Sequence, residues 1–91
     1  RNADLMSREL TASDFNWISG TAPDKPFRAS AKVRYRHREQ PATVEPLPDG
    51  RVRIVFDEPQ RAITPGQSAV LYDGDTVLGG GIIEKPETRA L

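Results

Sequence analysis

One histidine, His37, and no cysteine narrow the chemistry open to this 91-residue chain. No G-x-S-x-G elbow and no thiol is present to pair with that imidazole, so a hydrolase-type nucleophile and base have no members here. Metal binding lacks ligands for the same reason. Carboxylates alone remain, and Asp73 and Asp75 flanking Gly74 fit a hairpin tip better than a calcium loop, whose D-x-[DN]-x-[DN]-G spacing is missing. The triplet Gly79-Gly80-Gly81 runs into Ile82-Ile83-Glu84 and not into a helix. It therefore offers neither a Walker loop nor a dinucleotide turn to a phosphate, and a backbone bulge or bend explains it better. The expected catalytic residues and metal ligands in this chain are none.

A row of cations is the feature with functional reach. From Lys25 to Arg38 the chain carries Lys25, Arg28, Lys32, Arg34, Arg36 and Arg38 with no acidic residue between them. Between Arg28 and Arg38, Ala29, Ala31, Val33, Tyr35 and His37 alternate with the basic residues, a period of two that predicts one long strand with a packed face and a wet face. On such a strand Lys32, Arg34, Arg36 and Arg38 would follow one another at about 6.6 to 6.8 Å, near the spacing of phosphates along a nucleic-acid strand. These four are the candidate RNA-binding residues. The competing reading is a solvated face whose cations pair with Glu39, Glu45 or Asp57 on neighbouring strands. Phe15, Trp17 and Tyr35 could stack on bases, but in so small a domain Phe15, Trp17 and Phe56 serve better as core anchors.

The elements that must position these residues read as strands. Asp14 to Ile18 is a short strand, and the segment Asp4 to Leu10 ahead of it is either a turn or two of helix or a strand lead-in. Thr21 to Phe27, with Pro23 and Pro26, is a loop, and Pro41 ends the basic strand. Ala42 to Glu45 and Arg51 to Asp57 form a hairpin about Asp49-Gly50, with Val52, Ile54 and Phe56 inward. Pro59 to Thr64 is a loop, Pro65-Gly66 fits a type II turn, and Ser68 to Tyr72 and Thr76 to Ile83 meet at Asp73-Gly74-Asp75. Six short strands with no convincing amphipathic helix predict an all-β antiparallel barrel or sandwich.

Composition agrees with one soluble domain. The hydrophobic fraction is 36% and the charged fraction 29%, with 13 basic and 13 acidic residues in balance. No apolar run approaches the roughly 18 residues of a membrane span. The absence of cysteine suits the cytoplasm. The chain opens Arg1-Asn2-Ala3-Asp4 without an initiating Met, which reads as a segment of a longer polypeptide.

Several blocks carry a family resemblance. Lys32-Val33-Arg34-Tyr35-Arg36, Phe56-Asp57-Glu58-Pro59-Gln60-Arg61-Ala62, Thr64-Pro65-Gly66-Gln67-Ser68-Ala69-Val70, Tyr72-Asp73-Gly74-Asp75 and Leu78-Gly79-Gly80-Gly81-Ile82-Ile83, with Phe15-Asn16-Trp17-Ile18 near the start, resemble the C-terminal domain of bacterial tRNA-specific 2-thiouridylases. An older name for that family is tRNA (5-methylaminomethyl-2-thiouridylate)-methyltransferase, although the reaction is sulfur transfer.

The resemblance implies that residues 1–91 are a single six-stranded barrel similar to the second domain of elongation factors, belonging to a larger enzyme whose catalytic and central domains lie outside this sequence. It implies that the parent uses ATP, with Mg, to adenylate the C2 oxygen of the wobble uridine, and that a cysteine persulfide then delivers sulfur. None of those catalytic residues has a counterpart here, so no cofactor is expected in this domain. Family members often carry a cysteine where this chain has Ala42-Thr43, a departure that touches no sulfur carrier.

The expected function is non-catalytic positioning of tRNA for wobble-uridine 2-thiolation, in the cytoplasm. The expected partners are tRNA, the other domains of the parent and a sulfur-donor protein, with no membrane. The alternative is a module that braces the catalytic domain without touching RNA. An adaptor for sulfur-relay partners ranks last, because no residue supports it.

Overall fold

The computed structural model describes residues 6–33, 38–61 and 63–85. They form six strands, β1 (Met6–Trp17), β2 (Phe27–Lys32), β3 (Gln40–Pro46), β4 (Val52–Arg61), β5 (Ser68–Asp73) and β6 (Thr76–Ile83). All neighbouring pairs are antiparallel and the sheet closes in the order β1-β4-β3-β2-β5-β6, with β6 returning to β1. Closure gives every strand a neighbour on both sides. Alternation and turn residues left barrel and sandwich open; the fold observed is the barrel that the family resemblance implied.

Inward positions alternate large and small, as a narrow barrel requires. Ile54, Phe56, Leu71 and Val44 fill the centre, and Ala12, Ala31, Ala42 and Ala69 give them room; each is at most 1% exposed. Val52, Ile54 and Phe56 face inward on β4, as their spacing predicts. The turns also follow their residues. The Gln67 N–H donates to the Thr64 carbonyl at 3.2 Å across Pro65-Gly66, with Gly66 at φ 92°, the left-handed conformation that the third position of a type II turn demands.

Four sequence-based boundaries move. From Met6 the segment leading to Leu10 is strand and not helix, continuous through Asp14 to Trp17, because β1 pairs first with β4 and then with β6. Phe27 opens β2 instead of closing a loop. Pro41 lies within β3, opposite Ser30, and so begins a strand where the sequence suggested an ending. β4 continues through Pro59 to Arg61. Proline is tolerated there because the β1–β4 ladder is broken: Ser7 pairs with Gln60, Glu9 with Val55, and the residues between are out of register. Arg8 repairs part of that break by donating from Nη2 to the Asp57 carbonyl at 2.8 Å.

The glycine triplet sits where register changes on both sides of β6. Across from it β1 bulges between Ser13 and Asn16, where Asp14 takes φ 50°, and the β5–β6 pairing shifts beside Leu71 and Tyr72. The sequence placed a bulge near these glycines; the structure adds that Phe15 lies over Gly79 and Gly81. A Cβ on Gly81 would stand 2.6 Å from the Ser13 carbonyl oxygen and 2.7 Å from the Phe15 ring. Phe15 packs at a tilt against Trp17 with centroids 4.6 Å apart, Trp17 meets Phe27 at 6.1 Å, and all three lie against the core.

Candidate nucleic-acid interface

Lys32 is the last residue of β2, partly buried, on the outward face it shares with Arg28. Arg38 is exposed, two residues before β3 begins. Arg34, Tyr35, Arg36 and His37 lie outside the described residues. The long basic strand expected over 28–38 is not formed. Ala31 pairs with Gln40, so the chain must reverse between them, and β2 stops at Lys32. Lys32 and Arg38 therefore stand on opposite arms of the β2–β3 connection, and an even 6.6 to 6.8 Å row along one strand does not describe them.

Of the carboxylates expected to answer this segment, Asp57 and Glu45 are engaged elsewhere, and Glu39 is exposed with no salt bridge to a described cation. Arg28 forks onto Asp57, with both oxygens at 2.7 Å, and also donates to Thr43 Oγ1 at 3.0 Å. That hydrogen-bonded guanidinium, aided by its charge, holds the Asp57 carboxyl below its ordinary range. Arg53 donates to Glu9 at 2.6 Å and lies 3.6 Å from Glu45. Arg51 joins Asp49 at 2.8 Å and Glu84 at 3.0 Å, and the backbone N–H of Arg51, more than its side chain, keeps the Asp49 carboxyl low. Neither Lys32 nor Arg38 forms a salt bridge with any described carboxylate. Arg28 and Arg53 are thus answered by carboxylates across β3, β4 and β1, whereas Lys32 and Arg38 form no salt bridge among the described residues.

Sequence reasoning grouped cations by adjacency, whereas the structure sorts them by partner. Arg28, Arg51 and Arg53 are held by carboxylates 29, 33 and 44 positions away, and no local pattern signals such pairs. Among the described aromatic residues, Phe56 is 1% exposed in the core, and Phe15 and Trp17 are partly buried and packed against it, as expected of core anchors. Among the described residues no three of His, Cys, Asp or Glu converge as metal ligands would, and no helix N-terminus faces the glycine triplet. No helix among the described residues is long and apolar enough to cross a membrane.

Comparison with known proteins adds to this geometry. Residues 7–83 match the family described as the aminomethyltransferase beta-barrel domain. The chain is similar to the tRNA-specific 2-thiouridylase MnmA of Francisella philomiragia, 61% identical over 79 residues, which is 87% of this chain and 22% of the relative. The protein of that name from Acetivibrio thermocellus is 57% identical over 81 residues, and that from Clostridioides difficile 54% over 84, or 89% and 92% of this chain. In both the matched region is 23% of the relative, so the chain spans under a quarter of the length of these proteins. The resemblance read from the sequence blocks is borne out.

Proposed function

The chain belongs to the aminomethyltransferase beta-barrel domain family, and from that premise we propose that it positions tRNA for an enzyme that 2-thiolates the wobble uridine. The single observation that carries the RNA contact is the pair Lys32 and Arg38, free of carboxylate partners among the described residues and bracketing two further arginines in sequence. The names of the relatives support the choice of tRNA over other polyanions. Contacts of this kind orient a nucleic acid without reading its sequence. Catalysis, with its ATP, magnesium and sulfur-donor protein, belongs in this reading to a part of the parent that this chain does not contain, and the setting is the cytoplasm.

The test is binding of tRNA by the 91-residue chain between 50 and 200 mM salt, beside the variant K32S/R34S/R36S/R38S. With four phosphate contacts, log K against log salt falls with a slope of about −3, and the variant flattens it towards zero. Unchanged affinity and slope in the variant would reject the assignment and favour a bracing role towards the catalytic domain.

A further inference from the structure

Arg53 stands on the outward face of β4, flanked on both sides by acid. Glu45 is its cross-strand partner on β3, and Glu9 reaches it from β1. None of the three is sheltered, since their side chains are 45%, 43% and 52% exposed. A phosphate could therefore reach the guanidinium without steric hindrance. What it meets is a triad of net charge −1, with carboxylate oxygens 2.6 and 3.6 Å from the guanidinium nitrogens. Displacing either carboxylate would leave it beside the incoming phosphate, like charge against like. Asp57 treats Arg28 in the same way. Lys32 and Arg38 form no salt bridge with a described carboxylate.

We infer that Glu9 and Glu45 guard the outer face of β1, β4 and β3 around Arg53 against polyanions, so that RNA does not engage the barrel there. This rests on the RNA-binding reading above and adds to it two residues that set where, and in which orientation, RNA binds. Arg53 is then a suppressed phosphate site, silent because of its neighbours and not because of its position.

The experiment compares tRNA binding to the chain, to E9Q/E45Q and to D73N/D75N. Glutamine keeps the size and hydrogen-bonding reach of glutamate at these exposed positions, and a thermal melt checks that each variant is folded. Both variants gain two units of positive charge, but Asp73 and Asp75 form no salt bridge with a described arginine. Release of one phosphate contact at Arg53 predicts a salt slope steeper by about 0.7 to 0.9 in E9Q/E45Q, with several-fold tighter binding at 50 mM salt. In NMR titrations the Arg53 amide moves on RNA addition in E9Q/E45Q and stays still in the parent sequence.

Equal gains in the two variants would overturn the guard, leaving only net charge. So would an Arg53 amide that already responds in the parent sequence. If the parent sequence binds no tRNA while E9Q/E45Q does, the guard stands and the positioning role fails; if neither binds, both fall.

Discussion

Replacing Gly81 with alanine should reverse the usual sign of a glycine substitution in a strand. Elsewhere in a sheet, alanine for glycine is favourable by roughly 0.5–1 kcal/mol, because the unfolded chain loses less freedom. At Gly81 the added carbon would stand 2.6 Å from the Ser13 carbonyl oxygen and 2.7 Å from Phe15 Cδ2. The ring can swing aside at the cost of its contact with Trp17, but the carbonyl belongs to the strand that closes the barrel. Overpacking of this kind costs about 1–3 kcal/mol. With a urea dependence of about 1 kcal/mol per molar for so small a domain, a loss near 2 kcal/mol lowers the unfolding midpoint by about 2 M.

Trp17 is the only tryptophan and touches Phe15, so its fluorescence reports the transition directly. Gly80→Ala is the comparison. Its Cβ would come no nearer than 3.1 Å to the Ala69 oxygen, and its midpoint should stay within about 1 M of the parent. Adding Phe15→Ala to Gly81→Ala relieves the ring contact but not the carbonyl contact, and so should not restore stability. A Gly81→Ala chain as stable as the parent would refute the claim that Phe15 and the β1 bulge require a bare backbone here.

Two further outcomes follow from the same coordinates. Asp57 titrates below its ordinary value of 3.8 because of Arg28, so its ion pair stabilises the fold fully above the unfolded-state value and loses that contribution as pH falls through the lowered folded-state value. A carboxyl carbon titration by NMR should find its midpoint below 3.8, and Asp57→Asn should blunt the fall in melting temperature below about pH 4; a midpoint at or above 3.8 would contradict the fork geometry. At Asp14, φ 50° makes glycine an acceptable substitute, within about 0.5 kcal/mol by urea unfolding, whereas Asp14→Val should cost about 1–2 kcal/mol. Equal stabilities for the two would argue against a left-handed residue in the bulge.

Much of the barrel was legible locally. Alternation in Arg51 to Asp57 placed Val52, Ile54 and Phe56 inside, and Pro65-Gly66 announced its turn, because pleat and positive φ act over two to four residues. The family was also readable, from blocks spread along most of the chain. The basic segment misled for a definite reason. Lys32 to Arg38 keeps a period of two and contains no Gly, Pro, Asn or Asp, so nothing in it marked the reversal that the pairing of Ala31 with Gln40 imposes.

Only the closed sheet could show which arginines are spent. Glu9 reaches Arg53, Asp57 reaches Arg28 and Glu84 reaches Arg51 across strands far apart in sequence, and those pairings depend on strand order and stagger. By itself the sequence determined where cations are concentrated, that the strands alternate, and, through its family blocks, that they form a barrel. Which cations remain available to a phosphate was decided by the tertiary structure, because charge is neutralised through space and not along the chain.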